Sequence, residues 1–160
     1  MSSHYCTAQV CRNGHATTAM LEKSPDRAAD HCPECGAPTL STCCWCGAPS
    51  RGYYFTPGVL SLSPYTAPRF CHQCGTAYPW TRAAVEAWRE MAHEVEGLTP
   101  EERAGLAKSI DDLIADTPRT QTAIQRLKQL APKVNRKLWP PMKELLMAVA
   151  TDAVKKSIGS

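Results

Sequence analysis

No apolar run in these 160 residues is long enough to cross a bilayer, which takes about 20 residues in a helix. The first ten, MSSHYCTAQV, lack the basic flank and apolar stretch of a secretory leader, so a reducing cytoplasm is the expected setting. Glycine-rich phosphate loops are missing as well. Asp111 and Asp112 are adjacent on a helical segment and point in different directions, so they make a poor pair for sharing one substrate. His93 lies among Glu90, Glu94 and Glu96 on a solvated helix face. Cys6 and Cys44 have no neighbouring base that the sequence identifies. These absences argue against an enzyme, and no catalytic residue is assigned.

What the chain does have is cysteine, unevenly placed. All nine cysteines and eight of the thirteen prolines precede residue 80, and the rest reads as helix. The expected organisation is therefore two domains, residues 1–79 and 80–160, of small α+β class. A loop-rich stretch of about 80 residues buries too little apolar surface to fold unaided, which calls for metal staples. In a reducing compartment, repeated C-x-x-C pairs point to metal ligation rather than disulfides.

Two knuckles organise the first half: Cys32-Pro33-Glu34-Cys35-Gly36 and Cys43-Cys44-Trp45-Cys46-Gly47. In each, two thiolates face one ion from a tight turn, and the following glycine accepts positive φ. Before them stands Cys11-Arg12-Asn13-Gly14-His15, and after them Cys71-His72-Gln73-Cys74-Gly75. Pairing outward uses every half-site: Cys11, His15, Cys32 and Cys35 around one zinc, Cys43, Cys46, Cys71 and Cys74 around a second. Cys6 and His31 compete with His15; the Asn13-Gly14 turn presents His15 and puts it ahead. Cys43 gives the two-residue spacing to Cys46 that Cys44 cannot, leaving Cys44 as a small buried thiol. Four protein ligands leave no open position, the mark of structural zinc.

Between the halves of the second site, RGYYFTPGVL (residues 51–60) reads as a strand and turn, with a return through Tyr65 to Phe70. From Pro79 onward four helices are expected. Thr81 is the N-cap of the first, whose stripe is Ala84, Trp88, Met91 and Val95. Thr99-Pro100-Glu101-Glu102 is a capping box opening a second, lined by Leu106, Ile110, Leu113 and Ile114. Asp116-Thr117-Pro118 starts a third, which Pro132 ends or kinks. A last helix covers about residues 142–158, with Met147, Val154 and Ile158 as a second apolar flank beside its main stripe.

The strings AQVCRNGH, CPECGA, CCWCGAP, RGYYFTPGV, FCHQCG, YPWT and DTPRT resemble a bacterial zinc-ribbon family of unknown function, over nearly the whole chain. The resemblance implies zinc binding at the eight residues above and a bacterial cytoplasm, and it implies no activity. This chain departs from the family at Cys44, where the knuckle usually reads C-P-x-C.

Charge is distributed rather than global. Seven ligand thiolates against two divalent ions would cancel the formal +3, whereas residues 80–116 carry −5 and residues 117–160 carry +7. The function expected is a non-enzymatic zinc adaptor or scaffold whose helical half meets a protein partner or a second copy through the C-terminal helix. The alternative is nucleic-acid binding through the hairpin aromatics, with Arg51 and Arg69, and a basic stripe of Arg119, Arg126, Lys133 and Lys137. Core packing of those aromatics, and pairing of the stripe with the acidic segment, are the plainer roles.

Overall fold

The computed structural model describes residues 2–60 and 63–159. It is a small α+β protein, with short β-hairpins in its N-terminal part and, among the described residues, five α-helices after them. The chain divides into two compact units, Met1–Arg82 and Ala83–Ser160. The division falls inside helix α1 (Pro79–His93) rather than at its start. The reason is local: the Trp80 indole N–H donates to the Pro68 carbonyl and the Thr81 hydroxyl to the Arg69 carbonyl, both at 2.9 Å, tying the first turn to the loop before it. Thr81 is therefore buried inside the helix and does not cap it.

Among its described residues the first unit has five short strands. β1 (His4–Thr7) pairs antiparallel with β5 (Arg51–Phe55), and β2 (Gln9–Cys11) lies between β3 (Ala16–Thr18) and β4 (Thr39–Leu40). The expected return strand through residues 65–70 does not form. Pro64 and Pro68 remove two backbone donors from that segment, and β1 takes the place beside β5. Tyr65 stays close through its side chain, its hydroxyl donating to the Arg51 carbonyl at 2.8 Å. A buried cluster of Ala8, Val10, Cys43, Cys71, Tyr78 and Trp80 forms the core. The Tyr78 and Trp80 rings stack within it, centroids 4.4 Å apart and 7° from parallel.

Gly52 in β5 is required by space. The Tyr53 N–H donates to the Ala19 carbonyl at 3.0 Å, and a Cβ on Gly52 would overlap that carbonyl oxygen and press on that of Cys6. Gly52→Ala should therefore cost about 1–3 kcal/mol by overpacking. A melt of the metal-loaded protein checks this, and an unchanged midpoint would show that the segment at Ala19 shifts freely.

In the second unit α2 (Pro100–Ile114) starts at the expected capping box. The Glu102 N–H donates to the Thr99 hydroxyl at 3.1 Å, and the Thr99 N–H to the Glu102 carboxylate at 3.0 Å. Leu106, Ile110, Leu113 and Ile114 are all buried, as their spacing requires. On α1 the buried stripe is Val85, Trp88, Ala92 and Val95, rotated from the expected one by about a residue, with the Trp88 indole donating to the Leu106 carbonyl at 2.9 Å. α3 (Thr120–Leu130) stops short of Pro132, and a 3-10 turn over Ala131–Lys133 follows.

Two expectations fail here. With α3 ended at Leu130, Arg119, Arg126, Lys133 and Lys137 share no helical stripe, and Lys133 pairs with Glu102 at 2.5 Å. The single C-terminal helix is instead two, α4 (Trp139–Val149) and α5 (Asp152–Ile158). Thr151 divides them, its hydroxyl accepting from the Val154 N–H and its own N–H bonding to the Leu113 carbonyl. Val154 is fully buried while Met147 and Ile158 are partly exposed, so the three do not form one accessible flank. Among the described residues no helix is long and apolar enough to cross a membrane.

Candidate metal centre

The three C-x-x-C-G knuckles fold alike, and hydrogen bonding shows why. In each, the glycine N–H returns to the carbonyl of the first cysteine: Gly36 to Cys32 at 2.8 Å, Gly47 to Cys43 and Gly75 to Cys71 at 2.9 Å. The first cysteine's own N–H crosses to the residue after the glycine, at Ala37, Ala48 and Thr76. This geometry needs left-handed backbone at the glycine, with φ of 71°, 75° and 72°. A single antiparallel bridge closes each knuckle, at His31 and Pro38, Thr42 and Pro49, and Phe70 and Ala77.

The fourth half-site is one residue tighter. The Gly14 N–H bonds to the Cys11 carbonyl at 3.0 Å and the Cys11 N–H to the His15 carbonyl at 2.9 Å. The second ligand therefore follows the glycine instead of preceding it. Histidine's longer side chain makes up the reach.

The structure brings the eight residues together as two groups, Cys11, His15, Cys32 and Cys35, and Cys43, Cys46, Cys71 and Cys74. Within each group all ligand atoms lie within 4.8 Å of one another. In the first, the His15 Nδ1 is 3.5 Å from the Cys11 sulfur and 3.6 Å from that of Cys32, and the Cys11 and Cys35 sulfurs are 3.7 Å apart. In the second, Cys43 and Cys74 are 3.8 Å apart and Cys46 and Cys71 3.6 Å. A tetrahedron with zinc–sulfur bonds of about 2.3 Å and zinc–nitrogen bonds of about 2.0–2.1 Å has sulfur–sulfur edges near 3.8 Å and sulfur–nitrogen edges near 3.6 Å. The donor sets fit that geometry, and both lie far outside the disulfide length of about 2.05 Å.

Electrostatics give the same picture. The Ala37 N–H and the Asn13 amide, the latter at 3.3 Å, hold the Cys35 thiol down to about 6. The Cys74 and Gln73 N–H groups likewise hold Cys71 down to about 6. At Cys46 the Ala48 N–H lowers the value, but desolvation and the crowding of Cys71, Cys74 and Cys43 outweigh it and push it up to about 12. Burial pushes Cys11 up too. Backbone donors thus prepare some thiolates, and sulfurs packed this closely need a cation before all of them ionise. Further N–H donors approach the sulfurs from His15 to Cys11 at 3.3 Å and from Trp45 to Cys43 at 3.4 Å.

The competing candidates fall outside both groups. Cys6 is buried on β1, where loss of solvent raises its thiol. His31 is exposed, one residue before Cys32, and side chains on either side of a bridge position alternate. Cys44 is exposed, not the buried thiol expected, because Cys43 already takes the inward position of that turn. His72 is exposed as well. Asp111, considered for catalysis, holds Arg89 with both oxygens at 2.8 and 2.9 Å.

Three supporting residues escaped the sequence reading. In sequence Asn13 reads as a turn residue only, yet its amide donates to Cys35. The exposed Glu34 carboxylate stands 3.8 Å from His15 Nε2, the ring nitrogen opposite the Nδ1 that faces the Cys11 and Cys32 sulfurs. The Tyr78 hydroxyl is buried without a well-formed hydrogen bond, its polar neighbours being Ser50 and Cys71. A thiolate there is a natural acceptor for it.

Fold and site together define a small α+β protein carrying two cysteine-rich clusters that fit a double zinc ribbon. The chain belongs to the family described as an uncharacterized protein conserved in bacteria (DUF2321), which it matches over residues 4–158. No curated protein and no solved structure gives a significant match.

Proposed function

We propose that this chain is a non-enzymatic zinc adaptor: two structural zinc ions hold the first unit rigid so that it can present a fixed surface to a protein partner. The supporting observation is where the large exposed apolar side chains lie. Among the described residues these are Tyr5, Trp45, Tyr54, Val59 and Leu60, all in the metal-bearing unit. Trp45 is 75% exposed at the tip of a knuckle whose neighbouring cysteines are ligands, so its position is set by the metal. Exposed aromatics on a rigid support are the usual anchors of protein interfaces. This moves the expected docking surface away from the C-terminal helices, where Val154 is buried between the partly exposed Met147 and Ile158.

The zinc ions would be held by Cys11, His15, Cys32 and Cys35, and by Cys43, Cys46, Cys71 and Cys74. They supply folding energy and charge neutralisation there, with four protein ligands each and no position left for substrate.

A second reading has one observation behind it. Tyr5 and Tyr54 are half exposed on the β1–β5 ribbon, 4.9 Å apart edge to face, with the Arg51 guanidinium 4.4 Å over Tyr5. Cations interleaved with exposed rings suit single-stranded nucleic acid.

One experiment separates the two. Tagged chain is recovered from its native cells with and without nuclease, beside Trp45→Glu with Leu60→Glu and beside Tyr5→Ala with Tyr54→Ala. A protein that survives nuclease and is lost with the first pair, zinc content unchanged, supports the adaptor; truncating such an anchor costs about 2 kcal/mol or more. Recovery that depends on nucleic acid and is lost with the second pair supports the other reading. Recovery indifferent to both pairs overturns both.

A further inference from the structure

The second unit contains a cavity of about 550 Å³, within the size range of small-ligand pockets. Leu127 and Val134 are buried in its wall, and Trp139 and Ile158 are partly buried beside them. Lys128 and Arg136 are exposed on its rim, and no carboxylate lines it among the described residues. Neither cation belongs to an ion pair formed among the described residues, where the pairs are those of His15, Arg89 and Lys133.

We propose that this cavity binds a small amphipathic carboxylate, its apolar body against Trp139 and Ile158 and its headgroup between Lys128 and Arg136. Three features select that chemistry. The lining is apolar, which calls for a hydrocarbon or aromatic body rather than a sugar or a polyphosphate. Two cations match one compact anion, and an arginine fork fits a carboxylate in the plane. The nearby start of α4 offers little to a phosphate, because Pro140 and Pro141 carry no N–H and the Trp139 N–H is bonded to the Asn135 carbonyl. The surplus of basic residues in 117–160, nine against two acidic, has part of its explanation here.

The probe is octanoate, with 1-octanol as the uncharged body and phosphatidylglycerol vesicles as an anionic surface, titrated by calorimetry and by tryptophan fluorescence of the zinc-loaded chain. Octanoate should bind one to one and change an emission that Trp139→Phe removes. Octanol, and octanoate on Lys128→Glu with Arg136→Glu, should each bind roughly tenfold or more weakly, since both lose the charge-assisted contacts. Both charge positions are exposed, so the double variant should fold; unchanged zinc content and helicity establish that it does. Ala131→Trp, which fills the space, should abolish binding of both probes. Equal binding of octanoate and octanol, octanoate binding that survives charge reversal, or binding to vesicles without binding to octanoate would each overturn the proposal. So would the absence of any octanoate binding.

Discussion

Replacing Cys35 or Cys74 by serine is expected to remove one zinc ion per chain and to unfold the knuckle pair around it. Each cysteine closes a four-ligand group, and loss of one sulfur leaves three donors with an exposed edge. Structural zinc in small modules is worth about 10–16 kcal/mol of apparent folding energy at neutral pH. The described apolar cluster of the first unit, six buried residues, is small to set against such a loss. Elemental analysis gives the stoichiometry, two in the wild type and one in each variant, and proteolysis reports the unfolding. Cys6→Ser and Cys44→Ser should keep both ions, because neither sulfur lies in a group. Zinc lost from the Cys6 variant, or two ions retained by Cys35→Ser, would sink the assignment.

Trp80→Ala should loosen the second metal site more than the first. The ring stacks on Tyr78 in the same cluster as Cys43 and Cys71 of the second site. At its base the Trp80 Cβ lies 3.4 Å from where a Cβ on Gly14 would stand, in the turn that places His15 of the first site; alanine keeps that atom, so the first site should respond less. Truncating a buried tryptophan costs about 3–5 kcal/mol. Much of that should appear as faster metal release, measured with a coloured chelator in excess. Trp80→Phe keeps most of the stack and loses the bond to Pro68, which costs about 0.5–1.5 kcal/mol. Its release should fall between wild type and alanine. A Trp80→Ala protein that gives up zinc no faster than wild type would show that the knuckles hold their ions without the core.

The sequence by itself determined whatever depends on neighbours a few residues apart. C-x-x-C-G names its own turn, since the glycine must accept positive φ and the two sulfurs then face one point. Thr99-Pro100-Glu101-Glu102 likewise names a helix start, because both bonds of the capping box are made within four residues. The outward pairing of half-sites was legible for a related reason: each knuckle offers two ligands and a closed site needs four. Tertiary structure decided what depends on distant partners. β5 pairs with β1 because the prolines at 64 and 68 spoil the nearer segment, and hydrophobic pattern alone does not choose between two apolar neighbours. Thr151 carries an ordinary N-cap signal, but apolar residues continue at helical spacing on both sides of it, and only its bond to Leu113 ends α4 there. Glu34 behind His15, and Trp80 between the turn at Gly14 and the core at Cys43, are contacts across sequence that no local pattern encodes. The cavity lined by Leu127, Val134, Trp139 and Ile158 exists only once three helices and a 3-10 turn have met, so its walls could not be read from spacing along the chain.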